Sequence, residues 1–416
     1  MRVDAVLSTE EMLAPVEPAS KAPIETLCMA CEDADCNFRP MNLLRRPLGD
    51  NDVLIEMKYC GVCHTDLHFA ANHMKGVLKT TYPCVPGHEL AGICTAVGKS
   101  VTRVSVGDHV GVGCMVDSCL ECKACKRGEE QMCVKQVATY QGKDFSGRAA
   151  TYPAGGKTLG GYTTRHVVDE RFAIIIPKSF PLEAAGPVMC AGVTMFDPLM
   201  RQGAKAGTRV GIVGLGGLGM LGIKLAKALG CVVTAISRTE GKLDIARKAG
   251  ATEFVVSTDA RQMAGARRSL DLILNTIPTQ HDYEPYSRLL ASGGKQVLLG
   301  ISPAFAAALV VGLATGGRSK VIASGIGMLG AHARRGSKRG PLPISASSLP
   351  STLPLQLQQL LDPTTPSLSL LPPPTHRLRR THPGGHRLLR QARDPAHDPG
   401  LPRRGAQLGV REARPV

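Results

Sequence analysis

The sequence predicts an α/β chain with two folded parts in series, an irregular all-β part and then a doubly wound parallel sheet, followed by a disordered tail. Three observations predict it. Short β-like runs separated by Gly and Pro turns fill residues 53–176. Strand and helix patterns then alternate between residues 183 and 300. Beyond residue 336 the composition shifts to Leu, Pro, Ser, Arg and His, with 14 Pro and no aromatic, Cys or Met, which cannot bury a core.

The elements follow in order. Residues 1–50 are weakly patterned. Residues 53–59 alternate as a strand ending in Cys60, and 92–97, 109–112, 163–168 and 173–176 read as further short strands. Helices are expected at 183–189 and 194–202. A buried strand at 209–213, an amphipathic helix at 218–229, a strand at 232–236 and a helix at 242–249 come next. Strands at 254–256 and 270–275, a helix at 281–290 and a strand at 295–300 complete the alternation, which builds a doubly wound sheet. The expected domains are 1–190, 191–330 and the tail 331–416.

Composition narrows the function classes. A chain of 416 residues with 43% apolar and 20% charged residues can bury two or three cores. It has no Trp and 4% aromatics, so core filling rests on Val, Ile, Leu, Ala and Met. The net charge of +16 suggests nucleic acid, yet half of it lies after residue 335, where 12 Lys and Arg face 4 Asp and Glu. The rest suits binding of anionic phosphates, and no nucleic-acid fold motif or aromatic stacking set accompanies the basic residues. No apolar run reaches 18 residues, so no membrane span is expected. Asp4, Glu10, Glu11 and Glu17 argue against a secretory or transit segment, which makes the cytoplasm the expected compartment. In that compartment the 14 cysteines are expected as metal ligands or buried thiols rather than disulfides.

Two constellations carry metal chemistry. Cys119, Cys122, Cys125 and Cys133 have the spacing C-x2-C-x2-C-x7-C, and four thiolates turned inward on one lobe make a closed tetrahedral zinc site. An iron–sulfur cluster is the competing reading of that spacing. The second group is Cys63, His88 with its neighbour Glu89, and Cys190. Two thiolates and an imidazole leave a fourth position open, as a catalytic zinc requires. A third cluster, Cys28, Cys31 and Cys36, offers no fourth ligand and reads as structural or incidental.

The run YCGVCHTDLH from Tyr59 to His68, the run PCVPGHELAG from Pro83 to Gly92, the four-cysteine lobe, GGY at 160–162, VMCAGVT at 188–194 and GLGGLG at 214–219 together resemble the zinc-containing medium-chain alcohol dehydrogenases, and within them the cinnamyl alcohol dehydrogenase group. The resemblance covers roughly residues 25 to 330. It implies a GroES-like catalytic domain, a Rossmann nucleotide-binding domain and a homodimer acting on small alcohols and aldehydes. It further implies that Cys63, His88 and Cys190 hold the catalytic zinc, with Glu89 able to exchange into the open position. The catalytic set it implies is Thr65, Asp66 and His68. Asp66 fixes the tautomer of His88, Thr65 holds the substrate oxygen and His68 passes its proton to solvent. Thr194 joins the cofactor contacts.

The cofactor signal stands on its own as well. Gly214, Leu215, Gly216, Gly217, Leu218 and Gly219 follow a predicted strand and open a predicted helix, the context in which GxGxxG binds a dinucleotide pyrophosphate. The next strand ends at Ser237 and Arg238, without the Asp or Glu that holds the ribose hydroxyls of NAD. Ser237, Arg238 and Lys242 suit a 2′-phosphate instead, so the expected cofactor is NADP, with NAD the lesser reading. The expected activity is reversible reduction of an aldehyde to a primary alcohol, cinnamyl-type by resemblance, with two zinc ions per chain. The match continues through NTIP at 275–278, GGKQVLLG at 293–300 and GGRS at 316–319, then stops near Gly330 in a shift resembling a retained intron or changed reading frame. The alternative expectation is therefore a non-catalytic remnant that still binds zinc and NADP.

Overall fold

The stretch with the least sequence pattern folds as a hairpin: β1 (Ile24–Cys31) pairs antiparallel with β2 (Phe38–Arg45). Its alternation is present but quiet. Ile24, Thr26, Cys28 and Ala30 line the buried face of β1, with Cys31 also buried at its end, so a polar and two small side chains stand where a strand signal looks for large apolar ones. In the computed structural model, residues 22–73, 75, 79–144, 156–300 and 321–323 are described.

Next come β3 (Asp52–Cys60), the helix α1 (His64–Ala70), β4 (Leu90–Val97) and β5 (His109–Val112). A small ladder of β6 (Met115–Asp117) and β7 (Val137–Ala138) carries the cysteine lobe between its strands, and β8 (Arg165–Asp169) and β9 (Ile174–Ile175) follow. Five of these strands form one antiparallel sheet in the order β8-β3-β4-β5-β9. Its core is Val53, Ile55, Leu90, Cys94, Val110, Val112 and Val168, a mainly aliphatic filling to which Phe172 adds one aromatic ring. The strands expected at 53–59, 92–97, 109–112, 163–168 and 173–176 are all present, 109–112 with the same ends and the others with ends shifted by at most two residues.

Two helices, α2 (Leu182–Pro187) and α3 (Val193–Arg201), are joined by a π-turn at Val188–Gly192. Six parallel strands then form the second sheet: β10 (Arg209–Val213), β11 (Val232–Ser237), β12 (Glu253–Val256), β13 (Leu270–Asn275), β14 (Leu290–Leu298) and β15 (Val321–Ala323). Their order is β12-β11-β10-β13-β14-β15. Between them run α4 (Gly217–Ala228), α5 (Leu243–Ala249), α6 (Ala260–Gly265) and α7 (Glu284–Ser287). Val210, Ile212, Ala235, Leu272 and Val297 pack against Ile223 of α4 and Met195 of α3. Val213, Ile236, Val255 and Ile273 pack on the other face with Tyr286 and Leu289. Burial on both faces explains why these strands are continuous apolar runs. Because β11 and β13 flank β10, the winding reverses there, and the carboxyl ends of β10 and β13 open the crevice where such sheets bind ligands.

The structure corrects the readings in three places. The helix expected at 281–290 is reduced to α7, because Leu290 is drawn into β14 opposite Leu270 and Pro285 sits at a helix start. The strand expected at 295–300 accordingly begins at Leu290. Helix α6 went unforeseen: it buries no residue and so has no amphipathic pattern, and rests on Asp259, whose carboxylate accepts from the Arg261 and Gln262 N–H groups. The expectations for GGRS at 316–319 and for the tail 331–416 lie outside the described residues. Among the described residues no helix is long and apolar enough to cross a membrane.

Candidate metal and nucleotide sites

Three separate pieces of chain bring the first metal-capable group together. Cys63 is the N-cap of α1, His88 and Glu89 immediately precede β4, and Cys190 sits in the π-turn. π-turns of this kind recur at functional sites because they re-aim one side chain out of a helix. One ligand atom from each of Cys63, His88, Glu89 and Cys190 lies within 4.8 Å of the others, and the His88 Nε2 is 3.3 Å from the Cys190 Sγ. Gly87 reaches His88 with φ of +103°, and a Cβ there would meet Tyr162 Cδ1 at 2.7 Å and Cys60 Sγ at 2.9 Å. No other residue type fits that approach.

Asp66 organises the group from behind. Its Oδ1 accepts from the Gly87 N–H at 3.1 Å and lies 3.0 Å from the His88 Nδ1. Its Oδ2 accepts from the Cys63 N–H and from the Tyr162 hydroxyl, both at 3.0 Å. Four donors thus converge on one buried carboxylate, which caps α1 and leaves the His88 Nε2 free to face the sulfurs. Asp66→Asn would oppose an amide NH2 to those donors. We expect the variant to fold and to hold a divalent metal at this group about 10- to 100-fold more weakly, measured by competition with a chromogenic chelator. Unchanged affinity would remove Asp66 from the metal site.

The charges ask for a cation. Burial lowers the His88 pKa, but hydrogen bonds to Asp66, Cys190 and Cys63 outweigh it and raise it to about 12. Cys190 is pushed up to about 11, first by the neighbouring Cys114 thiol, and Cys63 is pushed up by contact with Cys190 and by burial. Burial also raises Glu89. Thiols packed this closely become thiolates together only beside a positive ion, so the donor set fits a divalent metal with affinity for sulfur and imidazole.

The second group is the lobe. Cys119, Cys122, Cys125 and Cys133 present their sulfurs within 4.8 Å of one another. The Cys119–Cys125, Cys122–Cys125 and Cys119–Cys133 separations are 3.9, 3.6 and 3.4 Å. Four sulfurs at about 2.3 Å from a tetrahedral zinc stand about 3.8 Å apart, so the lobe fits that ion. Backbone N–H groups of Glu121 and Cys122 lower Cys119 to about 6, while burial raises Cys125 to about 12. Cys28, Cys31 and Cys36 belong to neither group. Cys28 and Cys31 are buried in small apolar clusters, as a structural reading implies.

The nucleotide motif is shaped as its spacing requires. Gly214 directly follows β10 with φ of +85°, and Gly216 is the N-cap of α4. A Cβ on Gly219 would lie 1.9 Å from the Gly214 carbonyl, whereas around Gly216 and Gly217 nothing lies within 4 Å. The third glycine therefore lets helix approach strand, and the middle two leave open space in front of a helix N-terminus, which fits a pyrophosphate. Leu215 is buried and Leu218 packs against the same core. Ser237 ends β11, Arg238 is exposed, and the Lys242 ammonium donates to the Leu215 carbonyl at 2.8 Å, so it reaches over the glycine turn itself. Thr194 is buried in the first turn of α3.

Thr65 brings its Oγ1 to 3.5 Å from the Cys63 Sγ. His68, one turn along α1, faces away toward His64 and His73, and burial together with those two neighbours lowers its pKa. Three nearby residues escaped the sequence reading of the site. Tyr162 bonds Asp66 and was visible only as part of GGY. Tyr140 stacks 5.7 Å from the His88 ring, its hydroxyl near the Asp66 carboxylate without closing a hydrogen bond, and Cys114 lies beside Cys190. Neither has a spacing signal, since both are placed by the β5–β7 region folding back on the site.

Comparison with known proteins agrees with this geometry. Residues 49–178 match the family model for the alcohol dehydrogenase GroES-like domain, and residues 217–334 that for zinc-binding dehydrogenase. The chain is 42% identical over 275 residues to probable cinnamyl alcohol dehydrogenase 3 of Oryza sativa subsp. japonica, covering 66% of this chain and 72% of that protein. It is also 42% identical over 285 residues to 8-hydroxygeraniol dehydrogenase of Catharanthus roseus, covering 68% and 76%. Among solved structures, a cinnamyl alcohol dehydrogenase from Sorghum bicolor aligns with a TM-score of 0.65 at 38% identity, covering 74% of this chain and 85% of that one. CAD from Helicobacter pylori complexed with NADP(H) aligns with a TM-score of 0.62 at 38% identity, covering 68% and 78%.

Proposed function

Because the chain belongs to the zinc-containing medium-chain alcohol dehydrogenases, in their cinnamyl alcohol dehydrogenase group, we propose that it reduces an aromatic, cinnamyl-type aldehyde to its primary alcohol with NADPH and runs the reverse with NADP. The observation that carries the reading is the convergence of Cys63, His88, Glu89 and Cys190 within 4.8 Å, with Asp66 hydrogen-bonded behind His88. A zinc ion held by Cys63, His88 and Cys190 would supply a Lewis acid for the carbonyl oxygen, and the nicotinamide of a dinucleotide whose pyrophosphate is held at the glycine turn would supply the hydride. A second zinc, on Cys119, Cys122, Cys125 and Cys133, is structural.

The protein's own groups do the rest. The Thr65 hydroxyl, beside Cys63, holds the substrate oxygen and gives it a proton as the alcohol forms. His68 replenishes that proton from solvent; its lowered pKa keeps it neutral and able to accept and donate. Asp66 holds the His88 proton on Nδ1. Glu89, whose carboxylate oxygen lies within 4.8 Å of the Cys63, His88 and Cys190 ligand atoms, would enter the open position as a carboxylate and release product.

The preference for NADP rests on Ser237, Arg238 and Lys242 and on the absence of an acidic residue at the end of β11. The Helicobacter pylori neighbour binds NADP(H), which supports the same reading. The division into 1–190 and 191–330, the homodimer and the cytoplasmic location belong to this proposal. The non-catalytic remnant is not favoured, since every motif for zinc and nucleotide is intact. The test is NADPH against NADH oxidation by the 416-residue chain with cinnamaldehyde and benzaldehyde, with zinc counted on the same sample. Turnover preferring NADPH, with about two zincs per chain, is expected. Zinc-loaded protein without turnover would return the remnant, and an NADH preference would overturn the role of Arg238.

A further inference from the structure

Beside the two sulfur-rich groups, α1 and the turn after it gather three imidazoles. His64 and His68 stand four residues apart on one face of the helix, with ring centroids 4.5 Å apart and planes at 72°. The chain then folds back. Asn72 adopts φ of +52°, a left-handed conformation that Asn tolerates, and its side chain accepts from the Thr80 N–H at 3.1 Å. The His73 N–H donates to the His68 carbonyl at 2.9 Å. This return places the His73 ring 5.4 Å from that of His68, with the two Nδ1 atoms 3.2 Å apart.

We propose that His68 and His73 form a third metal site that takes a divalent zinc ion or a similar borderline cation from solvent. Two nitrogens each about 2.0 to 2.1 Å from a tetrahedral zinc stand about 3.3 Å apart, close to the separation already present. The plain alternative is a hydrogen bond in which one ring donates to the other. That bond involves half-exposed and exposed groups, is worth little against water, and is readily exchanged for two metal–nitrogen bonds. Imidazole is the donor that zinc, nickel and copper share, and the exposure of His64 and His73 leaves room for water in the remaining positions. The approach is preset by the backbone, because the Asn72 turn fixes His73 over His68 before any ion arrives.

The site has a consequence that rests on the relay proposed for His68. A cation on the His68 Nδ1 withholds that nitrogen from the proton path, so excess zinc inhibits the enzyme without displacing either of its two resident ions. The test uses the holoenzyme dialysed against graded free zinc, with bound zinc per chain and NADPH turnover read in parallel. A third equivalent of zinc is expected in the unaltered chain, and His73→Asn and His73→Gln are expected to bind it at least roughly tenfold more weakly with basal turnover unchanged, since a lost ligand costs no less than a lost supporting contact. No third equivalent, or one held equally by both variants, overturns the site. A third zinc lost in both variants but without effect on turnover upholds the site and removes His68 from the relay.

Discussion

Cys63→Ser is expected to lower aldehyde reduction by about a thousandfold or more while the protein stays folded with one zinc fewer. The Lewis acid at this site is asked for several kcal/mol of transition-state stabilisation, and each 1.36 kcal/mol is tenfold in rate. The substitution removes one of two thiolates in a three-ligand set and leaves His88 and Cys190 without a partner on the α1 side. Fold should survive, because position 63 is the N-cap of α1, where Ser is a preferred residue, and Asp66 still receives the backbone N–H there. Steady-state rates, metal content and circular dichroism on one preparation check all three parts. A loss of less than tenfold would remove Cys63 from the ligand set.

Cys125→Ser acts on stability rather than chemistry. Structural zinc contributes about 10 to 16 kcal/mol to the folding of small zinc-dependent domains, and the lobe between β6 and β7 has little else to hold it. Its other elements are two short 3₁₀ turns, at Cys125–Arg127 and Glu130–Met132, and Val134 is exposed. Loss of the buried sulfur should release zinc from the lobe, lower the unfolding midpoint by about 5 °C or more and open residues 119–133 to protease. Zinc at the Cys63 group should remain. Protection of the lobe equal to that of the unaltered protein would show that it folds without metal.

What the sequence made legible follows from where chemistry depends on spacing. The four lobe cysteines are contiguous enough that C-x2-C-x2-C-x7-C states their geometry. The glycine turn is equally local, and open space at Gly216 and Gly217 with a close contact at Gly219 is what its spacing implies. The group of Cys63, His88 and Cys190 is not local, since 102 residues separate its last two members. There the resemblance, not periodicity, joined them. Features that depend on tertiary approach were invisible. Tyr140 and Cys114 reach the site only through the β5–β7 region. Helix α6 rests on its cap alone, and β1 hides its alternation behind Thr26, Cys28 and Ala30. The helix expected at 281–290 failed because strand pairing at Leu290 outweighs helical periodicity.

The four bonds to Asp66 make one carboxylate the common fastener of two parts to which the proposed reaction gives different partners: the helix carrying Thr65 and His68, proposed to meet the substrate, and the segment carrying His88, proposed to hold the metal. Such sharing narrows how the enzyme can change. A substitution that shifts the helix to admit a new substrate also moves the imidazole, so mutations there carry two penalties at once. Drift in substrate range is therefore confined to walls that Asp66 does not hold, and divergence between relatives that act on different alcohols should concentrate in those walls while this junction stays fixed.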